Sequence, residues 1–202
     1  MKVFDLNFRD RADLPPRNVL LFSGHMIDAP GREEPRFPAS KEAIAADAIA
    51  KLLDSADIGA NSSDLAICGG ACGGDLLFAE ACLARGTGLE LCIPFDEPTF
   101  LAKSVDFAGA RWHERFFAAK AKATLHVAPD ELGPLAAGDN PYERNNLWML
   151  DAAARFGPEK VIFICLWNGK GGDGPGGAKH LMDEAAHKTD RIHWLDTRKL
   201  WS

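Results

Sequence analysis

Apolar residues along this chain fall into short unbroken runs, separated by longer stretches in which they recur at helical spacing. Val19-Leu20-Leu21-Phe22, residues 64–68, Leu89 to Phe95, Thr124 to Ala128 and Val161 to Trp167 are such runs, and Arg191 to Leu195 is a sixth, more polar one. A run of this length bounded by turn residues predicts a strand buried on both faces, the pattern of parallel sheets. Ile44, Ala45, Ala48, Ile49, Leu52 and Leu53 predict a helix over about 41–56, with Ser40 as its cap and Glu42 in its first turn. Further helices are predicted over about 75–85, within 104–123, over about 141–156 and over about 178–187. The strongest start signal is Asn140-Pro141-Tyr142-Glu143, with Asn at the cap, Pro first and Glu third. Gly157-Pro158 ends that helix.

Strands that alternate with helices of this length build βαβ units. The expected fold is therefore α/β: a single Rossmann-like three-layer αβα domain with a mainly parallel sheet of about six strands. A length of 202 residues with 47% hydrophobic content supports one sizeable core and is short for two. Residues 1–18, charged and containing Pro15-Pro16, read as an N-terminal arm, and residues 19–202 as one ligand-binding domain. Ligands in such sheets sit beyond the carboxyl ends of the strands. The unusual loops fall there, at 23–38, 69–75, 94–100 and 168–177.

Charge narrows the partners. A net charge of −6 argues against a nucleic acid polymer or an acidic membrane surface, both of which need a dense basic face. The five cysteines, at 68, 72, 82, 92 and 165, lie mostly in apolar runs and have no metal-ligand spacing, so no metal is expected and the protein reads as reduced and cytoplasmic. Met1-Lys2-Val3-Phe4-Asp5 lacks the apolar core of a signal peptide, and no apolar run approaches the ~20 residues of a membrane span.

Candidate chemistry concentrates in the glycine-rich turn after the second strand. Gly69, Gly70, Ala71, Gly73 and Gly74 bring backbone amides close to a ligand, and the helix beginning at Asp75 aims its N–H groups at the same point, a site for phosphate. The spacing is neither a dinucleotide fingerprint nor a Walker A loop, and a tight turn without a ligand is the alternative. A second turn, with Gly174, Gly176 and Gly177 ahead of Lys179, has the same character. Gly24 and His25 follow the first strand; His25 either overlooks the crevice or makes one structural hydrogen bond. Arg32 and Arg36 suit a phosphate or pair with Glu33 and Glu34. Asn145 and Asn146 read a base or ribose edge or bond loop backbone. Asp75 caps its helix or meets the ligand. Glu80, the only charge within 76–83, needs a partner, either the ligand or a structural arginine. Trp112 and Phe116, four apart, serve base stacking or the core. Cys72 sits beside a helix start, which lowers a thiol pKa, but no base accompanies it.

Phe22-Ser23-Gly24-His25, the turn and helix from Gly69 to Glu80, and Gly174-Pro175-Gly176-Gly177 before a helix resemble the SLOG superfamily over residues 17–197. That group holds the lonely-guy phosphoribohydrolases, the DNA-processing A family and molybdenum-cofactor carriers. The likeness is nearest to SLOG-type ligand-sensing domains of bacterial signalling and conflict proteins. It implies binding of a nucleotide or nucleotide-derived phosphorylated small molecule, no required cofactor, a homodimer, and an effector protein that reports occupancy. A lonely-guy-like hydrolase acting on a nucleoside 5′-monophosphate is the alternative, with Glu80, Asp183 or Glu184 assisting; a pterin or molybdenum-cofactor carrier is a weaker one. The lonely-guy motif P-G-G-x-G-T-x-x-E is met by Pro175, Gly176 and Gly177 alone: Lys179, His180 and Asp183 replace its Gly, Thr and Glu.

Overall fold

The computed structural model describes residues 15–171 and 177–202. Six parallel strands form one sheet: β1 (Val19–Gly24), β2 (Leu65–Cys68), β3 (Gly88–Ile93), β4 (Thr124–Val127), β5 (Val161–Trp167) and β6 (Ile192–Asp196). Their spatial order is β4-β3-β2-β1-β5-β6. The backbone steps outward from β1 to β4, then returns across the sheet to place β5 on the free side of β1. The β1–β5 junction is thus the switch point of the topology, where the flanking loops part and leave a crevice.

Both faces of the central strands are covered, which is why their sequence is apolar without alternation. Along β1, Leu20 and Phe22 pack with helices α1 (Glu42–Leu53), α2 (Gly74–Ala84), α3 (Glu97–Ser104) and α4 (Ala110–Lys120). Val19 and Leu21 instead pack toward α6 (Pro141–Ala154) and α7 (Ala178–Ala186). The same alternation divides β5, with Ile162 and Ile164 on the first side and Phe163 and Cys165 on the second. Each such large apolar side chain taken out of water contributes roughly 1.5–3 kcal/mol. Trp112 and Phe116 belong to this core, so they are not stacking platforms.

Local signals act as the sequence predicts at α6. The Asn140 side chain accepts hydrogen bonds from the Tyr142 and Glu143 amides at 2.9 and 3.1 Å, with Pro141 beginning the helix. At α1 they do not: a 3₁₀ turn over Ala39–Lys41 comes first, and no side chain caps the helix, so Ser40 is not its cap. Three short helices are additional to the sequence reading: α3, α5 (Ala128–Leu132) and α8 (Thr197–Leu200). At α3, Asp96 accepts from the Thr99 amide at 3.0 Å and Pro98 stands in the first turn, the same pair of start signals as at 140–141. Residues 96–100, expected as loop, are therefore helix from Glu97 onward. Ahead of β1, Arg17 grips Asp64 through two bonds and Asn18 donates to the same carboxylate, fixing the entry to the strand.

Candidate functional site

A cleft of about 390 Å³ opens at the switch point, over the carboxyl ends of β1 and β5. Ser23 and Gly24 line it from β1, and Trp167 from β5. Gly69, Ala71 and Asp75 come from the glycine turn, Phe100 and Ser104 from α3, and Gly177 and Ala178 from the start of α7. Asn140, Tyr142, Asn145, Asn146 and Met149 line it from the cap and first turns of α6, and His25, Met26 and Arg36 from the loop after β1. Of the residues picked out in the sequence, Gly24, His25, Gly69, Ala71, Asp75, Asn145, Asn146 and Gly177 thus border one cavity. Elements more than 150 positions apart in the sequence converge there because each follows or faces a strand end.

The glycine turn is organised differently from the sequence expectation. Its amides serve the protein itself: Ala71 N–H donates to Asp75 Oδ2 at 3.2 Å, Cys72 N–H to the Ser104 carbonyl at 2.9 Å, and Gly74 N–H to the His25 carbonyl at 3.0 Å. Gly73 takes φ +97°, and a Cβ there would meet Ile27 N at 2.6 Å, so only glycine lets the loop after β1 cross the start of α2. Gly69 yields its side-chain space to Asp75, whose Oδ2 lies 2.8 Å from where a Cβ would stand. Gly70, Gly73 and Gly74 do not reach the cleft; they pack against the protein. The phosphate expected on the α2 N-terminus therefore meets amides already in use and a carboxyl group in their midst. The start of α7, by contrast, has no side-chain cap among the described residues, and Gly177 and Ala178 there line the cavity.

Three expected acids lie elsewhere. Glu80 receives two hydrogen bonds from Arg115, at 2.6 and 2.5 Å, on the outer flank of α2 and α4, and Arg115 also bonds Glu42 and stacks on Trp112. The structural-arginine alternative is the one realised at Glu80. Asp183 pairs with Lys179 on an exposed face of α7, and neither they nor Glu184 border the cleft. Arg32 also stays outside it, donating to the Glu34 carbonyl and pairing with Asp28 at 3.6 Å. Its neighbour Arg36 takes the place at the cleft instead. Gly174 and Gly176 lie outside the described residues.

Arg36 is held there from behind. The Asp28 carboxylate accepts the Arg36 and Phe37 amides, both at 2.9 Å, closing the loop on itself. Phe37, fully buried, stacks on Trp201 at 5.4 Å, and the Trp201 indole donates to the Arg36 carbonyl at 3.1 Å.

The polar groups of the cleft are unevenly satisfied. His25 Nε2 accepts the Asn168 amide at 3.1 Å. Burial, helped by the Arg36 charge, lowers its pKa to about 4, so the ring is neutral and its proton sits on Nδ1. Asp75 is pushed up to about 7 by burial, against the opposing Ala71 N–H. Asn145 donates through Nδ2 to the Cys92 carbonyl at 2.8 Å, while its Oδ1 is buried without a partner among the described residues. Ser104 Oγ is likewise buried without one. Ser104 carries no signal in the sequence: it becomes visible only once α3 is recognised, and the Asp96-Glu97-Pro98 start was the available cue. Cys72 is buried and its thiol is raised to about 12, the reverse of an activated nucleophile. Among the described residues no group of three His, Cys, Asp or Glu side chains is placed to hold a metal ion. None of their helices is long and apolar enough to cross a membrane.

No protein-family model, curated protein or solved structure matches the sequence.

Proposed function

We propose that this protein is a SLOG-type binding module that holds a nucleotide or nucleotide-derived phosphorylated small molecule in the cleft between β1 and β5. The observation that carries the reading is the pair of buried polar atoms without a partner among the described residues, Asn145 Oδ1 and Ser104 Oγ, on residues lining one cavity at the switch point. Leaving a buried polar group unsatisfied costs about 1–3 kcal/mol, and a bound ligand removes that cost. The cavity volume lies in the range of small-molecule sites. Its lining mixes flat apolar surface (Phe22, Phe100, Met149, Trp167) with a few polar groups, which suits a base on a sugar. The anionic end belongs with Arg36 and the start of α7, because the Gly74, Leu76 and Leu77 amides of α2 are occupied and the Asp75 carboxyl stands among them. The resemblance adds a homodimer and an effector partner to this proposal, and the cysteine usage a cytoplasmic setting. The hydrolase alternative loses support because Glu80, Asp183 and Glu184 do not border the cleft.

Calorimetric titration with a panel of nucleoside 5′-monophosphates tests the reading, with the matching nucleosides as controls. Monophosphates are expected to bind, nucleosides to bind at least tenfold more weakly, and Arg36→Ala to lower monophosphate affinity about tenfold. Equal affinity for nucleoside and monophosphate would remove the phosphate from the proposal. Absence of binding by every member would remove the proposal itself.

A further inference from the structure

Two polar side chains that line the cleft, Asn145 and Ser104, each keep an oxygen with no partner among the described residues. Asn145 is fixed in one amide orientation, because its Nδ2 is needed by the Cys92 carbonyl at 2.8 Å. The atom it leaves over, Oδ1, accepts hydrogen bonds and cannot donate them. Asp75 commits Oδ2 to the Ala71 amide and lines the cleft; its second oxygen accepts when the carboxyl is ionised and donates when it holds its proton. Ser104 Oγ, on a residue with no exposure, has neither a backbone nor a side-chain partner among the described residues and takes either role. On the donor side stands His25 Nδ1–H, since the other ring nitrogen already accepts the Asn168 amide.

From the fixed amide orientation of Asn145, and resting on the binding reading above, we infer that the cleft recognises a ligand group carrying a hydrogen-bond donor, a hydroxyl or an amino group, which Asn145 Oδ1 accepts and Ser104 Oγ supports. A vicinal diol of a sugar and the amino-bearing edge of a heterocyclic base share that chemistry. Each donor lost from the ligand leaves one of these acceptors unsatisfied again. Such sites reject analogues that merely lack a hydroxyl or amino group far more strongly than apolar pockets reject a missing methyl.

The test titrates the full-length protein with matched probes. Ribose 5-phosphate against 2-deoxyribose 5-phosphate reads the diol; adenosine and guanosine monophosphates against purine riboside 5′-monophosphate read the amino edge. At least one donor-bearing probe is expected to bind 10–100-fold more tightly than its donor-lacking partner, and the pair that discriminates identifies the source. Ser104→Ala is expected to cut that discrimination at least fivefold while leaving thermal stability of the ligand-free protein unchanged or higher. A serine that serves only packing would give the opposite pattern. Binding of all probes with equal affinity overturns the donor inference and leaves the binding reading standing. No binding by any probe overturns both.

Discussion

Two buried polar clusters sit side by side at the carboxyl end of this sheet, and they are built in opposite ways. The first is centred on His126 of β4, which bonds Glu90 of β3 through Nε2 at 2.7 Å and Glu131 of α5 through Nδ1 at 3.2 Å. Both His126 ring nitrogens are engaged, and Trp148, whose own indole N–H has no partner among the described residues, stands edge-on at 6.1 Å. Burial opposes a charge on His126, but the bonds from two carboxylates outweigh it and the pKa is raised. The second cluster is the cleft. It is joined to the first through Cys92, which lies in register with His126 and whose carbonyl holds Asn145. Here Asn145 Oδ1 and Ser104 Oγ have no partner among the described residues, and the half-buried acid Asp75 has no described cation against it. A closed cluster serves the fold. An open one imposes a stability penalty that only a ligand offsets, and perturbed acids in such places mark function more often than architecture. Burial alone does not separate them; unmet hydrogen bonds on residues that line a cavity do.

The comparison is broken most forcefully at His126. His126→Ala strands Glu90 in the interior, and removing one partner of a buried charged pair costs about 3–5 kcal/mol. Urea unfolding should register a loss of that order, with affinity for cleft ligands preserved in the protein that remains folded. A loss below about 1 kcal/mol would mean the closed cluster is not structural.

At Asp75 the expected sign reverses. Asp75 titrates near 7 in the folded protein against an ordinary 3.8, so the folded form keeps a proton that the unfolded chain has released. Its contribution is complete below pH 3.8 and is lost as pH rises to 7. His25 runs the other way: lowered to about 4 from 6.5, its contribution is complete above 6.5 and is lost as pH falls to 4. The two slopes oppose each other between pH 4 and 6.5. Asp75→Asn removes only the first and keeps an oxygen for the Ala71 amide. Relative to wild type the variant should gain about 3 kcal/mol across that window, at about 1.4 kcal/mol per pH unit, and level off at about 4 kcal/mol by about pH 8. Unfolding curves at unit steps from about pH 4 to 8 measure the difference, and a constant offset would contradict it.

Trp201→Ala probes the rim. Loss of the stack on Phe37 and of the bond to the Arg36 carbonyl should cost about 2 kcal/mol and lower affinity for a phosphorylated probe about fivefold. An unchanged affinity would show that Arg36 needs no support from behind. The smallest effect belongs to Ser104→Ala, where melting temperature of the ligand-free protein should stay level or rise by the equivalent of at most about 1 kcal/mol, because an unsatisfied hydroxyl disappears. A clear loss would move Ser104 from the open cluster to the closed one.

What the amino-acid order determined by itself is the layered α/β plan. Unbroken apolar runs such as Val161 to Trp167 specify strands covered on both faces, and Asn140-Pro141 specifies where α6 begins, since both signals act within a few residues of backbone. The same local grammar at Asp96 and Pro98 begins α3, the helix that ends in Ser104. That the unusual loops share one cavity also followed, because parallel strands bring all their carboxyl ends to one edge. The tertiary structure alone decided which polar groups are satisfied. Glu80 is answered by Arg115, the glycine-turn amides by Asp75, Ser104 and His25, and Arg36 rather than Arg32 reaches the cleft. Hydrogen-bond satisfaction depends on partners brought from distant parts of the sequence to within about 3 Å, and no periodicity in that sequence encodes the distance.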